Sequence, residues 1–205
     1  MRSTGAIAVV RIDAFLYGLE SAIAAGGDAD AAAYTERAAL RRAAMHRHLW
    51  NEAEGRFEDY DLEVGALCGQ FTAAAHAPLL AGVATPEQAE RTARATAAEL
   101  LAPGGLRTTL VASGEQWDSP NGWAPLQWIA VAGLRRYGHD ALAQDIATRW
   151  IAAVEAVYAR TGLLFEKYDI ETPAKGHGVG HGGEYTPQIG FGWTNGVTAD
   201  LMDWV

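Results

Sequence analysis

Apolar positions in this chain recur at helical spacing and are punctuated by glycine. Phe15, Leu16, Leu19 and Ile23 fall on one helical stripe before Gly26-Gly27 end the segment. Asp28 stands where the cap of a second helix belongs, and that helix carries Tyr34, Leu40 and Met45 to about Trp50. Thr85-Pro86-Glu87-Gln88 reads as a capping box, with proline at the first helical position and Gln88 reaching back to the cap. The helix it opens runs to about Leu101 and stops at Pro103-Gly104-Gly105. Another begins near Gly122, turns Trp123, Leu126, Ala130, Leu134 and Tyr137 inward, and ends at Gly138. Asp140 then caps a long helix through Leu142, Ile146, Trp150, Val154 and Val157. No stretch alternates at period two for long. The pattern predicts six or seven helices, paired across short turns as antiparallel hairpins in an all-α fold. With no linker and no low-complexity tract, residues 1–205 are expected to form a single domain.

Composition narrows the class. Hydrophobic residues make up 49% of the 205 positions, enough to bury a sizeable core. A formal net charge of −9 argues against nucleic acid or an anionic membrane as partner and suits a neutral ligand. No run reaches the roughly 18 apolar residues of a membrane span. The apolar stretch before Arg11 is too short for a signal-peptide core, so a cytoplasmic location is expected from the chain as written. Cys68, the single cysteine, can form no internal disulfide and reads as a packed thiol. His46 and His48 flank Arg47 near a helix end, where cations complement the dipole.

Chemistry concentrates in the second half. Gln116 to Pro125 read QWDSPNGWAP, which sets Asp118 between Trp117 and Trp123 around a Pro-Gly turn. Aromatic faces beside a carboxylate and an amide suit a sugar, which needs apolar platforms and partners for hydroxyls. A buried tryptophan corner with a capping aspartate fits the same residues equally well. Glu166 follows the apolar Leu163-Leu164-Phe165 and precedes Lys167-Tyr168-Asp169. An apolar approach raises a carboxyl pKa and a neighbouring lysine lowers it, so the local sequence leaves the balance open. Taken alone, Glu166 reads more readily as a surface acid paired with Lys167.

Two other patterns fall away. Gly178, Gly180 and Gly183 satisfy G-x-G-x-x-G, but no βαβ unit surrounds them, which removes the nucleotide reading. His177, His181 and Glu184 have zinc-like spacing for a helix, yet so much glycine forbids the helix, and no metal or other cofactor is assigned.

QWD-x-P-x-GW-x-P, then EKYD, then GGEY-x-x-Q-x-GFGWTNG up to Gly196, in this order, resembles the C-terminal half of the α,α-trehalases. These are inverting glycoside hydrolases that split trehalose into two glucoses. The resemblance runs from about Ile12 to Val197. It implies an (α/α)6 toroid, of which this chain would supply about half, with inner helices exposed along one flank. It also implies that Glu166 is the general base, and that Glu184 binds substrate hydroxyls. Trp117, Asp118 and Trp123 belong to a signature that either touches the sugar or holds its loop. The histidines at 177 and 181 depart from the glycine tract usual in the family.

Inverting hydrolysis needs two carboxyl groups, about 6.5–9.5 Å apart, one protonating the leaving oxygen and one activating water. The family carries its acid in a segment resembling S-G-W-D, and no tryptophan precedes Trp50 here. Each acid or base contributes typically about a hundred- to ten-thousand-fold. The chain alone is therefore expected to be inactive. Trehalose or a related neutral disaccharide, and a missing N-terminal half, are the expected partners. Relatives of this kind are often periplasmic, which an upstream start would accommodate. The alternatives are a non-catalytic carbohydrate-binding protein and a half-toroid that docks its complement.

Overall fold

A computed structural model describes residues 7–27, 29–172, 178–183 and 185–205. The expectations placed on Asp28, His177 and Glu184 lie outside the described residues. Helix α1 (Val10–Ala25) turns at Gly26 into α2 (Ala31–His48), whose last turn carries His46, Arg47 and His48; burial lowers the His46 pKa, which disfavours its cation there. Two short hairpins follow, β2 (Trp50–Asn51) with β3 (Arg56–Phe57), and β4 (Tyr60–Asp61) with β5 (Ala66–Leu67). β4 also pairs with β1 (Ile7–Ala8). After a 3-10 turn at Ala73–His76 come α3 (Ala77–Ala81) and α4 (Pro86–Ala95). The capping box at Thr85 is formed, with Gln88 N donating to Thr85 Oγ1 at 3.1 Å and Thr85 N to Gln88 Oε1 at 3.0 Å. A π-turn at Thr96–Leu100 then hands the chain to the hairpin β6 (Leu101–Ala102) and β7 (Gly105–Leu106).

Helix α5 (Ala124–Arg136) is the hub, packing on α3, on α6 (Asp140–Thr161) and on α7 (Gly192–Met202). Its Gln127, fully buried, behaves as a piece of strand: Oε1 accepts from Leu106 N at 2.7 Å and Nε2 donates to Leu106 O at 2.9 Å. That exchange satisfies an amide that would otherwise be costly to bury. The core centres on Trp123, Trp150 and Tyr168, with the last two ring edge against face at 5.3 Å.

The helical period located the helices, but two local details differ from its expectations. Asn121–Trp123 form a strand, β8, so α5 starts at Ala124 rather than Gly122. His139 is the N-cap of α6, and Asp140, its first residue, makes no side-chain cap bond there. Helix α1 leaves an apolar flank uncovered, as half of a helical ring would. Its buried positions are Val10, Ala14 and Glu20, while Ile12, Phe15, Leu16 and Leu19 are exposed, Leu19 at 57%. The large apolar stripe faces away from the body, and the small, charged face packs on α2 and α3. Glu20 is acceptable there because Arg41 Nε and Nη2 each donate to its carboxylate at 2.9 Å, which holds the carboxyl pKa below its ordinary value. No helix among the described residues is long and apolar enough to cross a membrane.

Candidate active site

Three antiparallel strands assemble the motifs. β8 (Asn121–Trp123) pairs with β9 (Lys167–Asp169), setting Trp123 opposite Lys167, and β9 pairs with β10 (Gly178–Val179). The EKYD segment thus lies between the tryptophan motif and the glycine-rich one. Each strand has only two or three residues, too few to leave an alternating signature in the sequence.

Glu166 enters this sheet one residue ahead of β9, four residues after Gly162 ends α6 in a left-handed turn. Its backbone is tied to the last motif: Glu166 N donates to Gln188 O at 3.0 Å, and Trp193 Nε1 donates to Glu166 O at 3.2 Å. Thr194 Oγ1 adds a bond to Phe165 O at 2.8 Å. The carboxylate is 1% exposed, and Oε1 receives no hydrogen bond from any described residue. The nearest cation, Lys167 Nζ, stands 3.7 Å from it, beyond hydrogen-bond length.

Lys167 is fully buried and gives its protons elsewhere, to Gly182 O at 3.0 Å and Gln116 Oε1 at 3.3 Å. Its ammonium also lies over the Trp123 and Tyr185 rings, at 5.4 and 5.5 Å. Burial pushes the Lys167 pKa down, and the Glu166 carboxylate opposes that shift.

The two tryptophans of QWDSPNGWAP stack in parallel with centroids 3.8 Å apart, and Trp193 sets its edge against both. Trp123 is buried, at 1%, and bonded through Nε1 to Gln116 O at 3.0 Å. Trp117, at 40% exposure, is the ring that reaches the surface. It lines a cavity of about 460 Å³ together with Asp118. Asp118 also holds its own loop: its carboxylate accepts from the Ser113 hydroxyl, and its carbonyl accepts from Asn121 N at 3.0 Å. A larger cavity, about 700 Å³, opens beside α1 and α2 around Leu40 and Arg41, and contains none of these motif residues.

The glycines serve the protein's own close packing. Gly182 and Gly183 have φ near +85°, and a Cβ on Gly182 would run into Gly114 O. Asn121, fully buried, clamps the same two loops, donating from Nδ2 to Gln116 O at 3.1 Å and to His181 O at 2.6 Å. Its Oδ1 accepts from His181 N at 3.0 Å. Asn121, Gln116 and Trp193 carry no role in a reading of the sequence alone, although all three lie inside the motifs that attract attention. No cluster of metal-ligating side chains occurs among the described residues.

Known proteins resemble this chain in sequence and fold. The family model described as Trehalase matches residues 1–205. A periplasmic trehalase of Xanthomonas axonopodis pv. citri is 50% identical over 98% of this chain, and one of Pseudomonas aeruginosa is 51% identical over 97%. The chain spans 35% and 37% of their lengths. The structure of neutral trehalase Nth1 from Saccharomyces cerevisiae superposes with a TM-score of 0.82 at 27% identity, covering 98% of this chain and 38% of that one.

Proposed function

This chain belongs to the trehalase family, and from that premise we propose that it is the base-bearing part of a glycoside hydrolase that splits α,α-trehalose into two glucoses with inversion. Its antiparallel hairpins make up about half of an (α/α)6 toroid. We take residues 1–205 to act as one unit, the C-terminal portion of the catalytic ring.

One observation carries the assignment of Glu166. Its Oε1 is buried yet takes no hydrogen bond from a described residue, and Lys167 Nζ stands 3.7 Å from it. Buried acceptors are nearly always satisfied, so an open one in such a place needs a reason. A general base has that reason: the missing donor is the water it deprotonates. Trp117 and Asp118 line the cavity of about 460 Å³ and would contact sugar, Trp123 backs Trp117 from beneath, and Glu184 would bind hydroxyls by family resemblance. The general acid would come from outside these 205 residues, so the chain alone would be inactive.

The outward apolar stripe of α1 supports a docking role for the same chain. Ile12, Phe15, Leu16 and Leu19, with Leu40 of α2, would be covered by the N-terminal part of the trehalase ring, as one polypeptide or as two. The names of the relatives support a periplasmic location.

Glucose release from trehalose, measured on the purified chain and again with the upstream part supplied, tests this reading. We expect none from the chain alone, activity on reconstitution, and loss of that activity in Glu166→Gln with the fold intact. Full activity in Glu166→Gln would remove the base assignment.

A further inference from the structure

A carboxylate that no sequence motif singles out lines the same cavity as Trp117 and Asp118. Asp59 sits between β3 and β4, and its Oδ1 accepts from Val10 N, the first residue of α1, at 2.8 Å. That bond fixes the carboxylate while engaging only one oxygen. Burial raises the Asp59 pKa, against the opposing Val10 N–H and Arg11. Arg11 and Gln70 line the cavity beside it.

We propose that this cavity is a pyranose-binding subsite in which Asp59 accepts hydrogen bonds from sugar hydroxyls over the Trp117 ring. The inference rests on the carbohydrate reading above and extends it to a residue outside the three motifs. The size suits one sugar ring with room for water, within the range of ligand pockets. One indole face of Trp117 is taken by Trp123, and the cavity supplies its exposed side. The charges select the ligand class. An anion would meet Asp59 and Asp118, and a cation would meet Arg11. A neutral polyol offers each of them a hydroxyl, which can donate to carboxylates and accept from a guanidinium.

Asp59→Asn separates binding from folding, because the amide oxygen can still accept from Val10 N. The probe is trehalose, titrated into the purified chain while the indole N–H signals are followed by NMR, with Trp117→Ala identifying the Trp117 signal. We expect a saturable shift at Trp117, and a dissociation constant raised about tenfold or more in Asp59→Asn at unchanged Tm. Gln70→Trp, a bulky substitution at the exposed rim, provides a second arm should Asp59→Asn unfold, and is expected to block binding. Unchanged affinity in a folded Asp59→Asn, or in Gln70→Trp where Asp59→Asn does not fold, overturns the Asp59 subsite while leaving Trp117 as a sugar contact. No saturable shift in the unaltered chain overturns both the subsite and the sugar-contact reading of Trp117.

Discussion

Lys167 Nζ stands 3.7 Å from Glu166 Oε1, with both side chains withdrawn from water and no hydrogen bond between them. Two of the lysine's three donors go to Gly182 O and Gln116 Oε1, residues of the other two motifs. Its charge therefore compensates the buried carboxylate while leaving Oε1 open to another donor. The same ammonium ties the glycine-rich loop to the tryptophan loop.

Removing that charge should be costly. Lys167→Met is expected to destabilise the fold by about 3–5 kcal/mol, the usual loss when one partner of a buried pair is deleted. Urea denaturation measures it. Adding Glu166→Gln should recover part of the loss, because the amide needs no counter-charge, and strict additivity of the two variants would show that the pair is uncoupled.

Gly182→Ala should also lower stability, by about 1–3 kcal/mol, since φ is positive and the new Cβ meets Gly114 O. The loop carrying Gly182 O would have to lift from Lys167. A thermal shift smaller than that of Gly138→Ala, which has positive φ but nothing near its Cβ, would contradict the contact argument.

His76 gives the fold a pH dependence. It is fully buried, Nδ1 donates to Ala73 O at 3.0 Å, and Nε2 lies 2.9 Å from the Thr96 hydroxyl, whose one proton it shares with Thr92 O. Burial lowers its pKa from 6.5 to about 4. Between those values the unfolded chain binds a proton that the folded chain refuses. Stability is therefore full above pH 6.5 and falls toward pH 4, by about 3 kcal/mol in all. In His76→Gln the urea midpoint should vary less steeply with pH over that window, and parallel slopes would refute the assignment.

The apolar stripe of α1 should make the isolated chain self-associate. Phe15→Ser with Leu19→Ser should reduce a concentration-dependent shift in size-exclusion chromatography with little effect on Tm, since both side chains are already exposed. The same pair should abolish reconstitution with the upstream part. Reconstitution at unchanged affinity would show that the stripe is not the docking face.

Helix positions were legible from the sequence, because a period of 3.6 and a capping box such as Thr85 with Gln88 are local features. So was the family, through three motifs whose order and unusual composition survive without any coordinates. The sequence also marked Trp117, Asp118, Trp123 and Glu166 as the residues to inspect. What it could not decide was burial and convergence. The stripe of Phe15, Leu16 and Leu19 reads the same whether neighbours cover it or not, because periodicity reports a face and not what lies opposite. Strands of two or three residues carry no period, so the sheet that sets Trp123 opposite Lys167 was invisible. Asp59, a plain acid beside Glu58, reaches the cavity only because the β3–β4 segment packs on the start of α1. Gln116 lies 51 positions from Lys167 and Gly182 lies 15 from it, and only the packing of helices and loops brings all three onto one ammonium. Local propensity acts over a few residues, whereas that meeting is enforced by the volume and direction of side chains across the whole core.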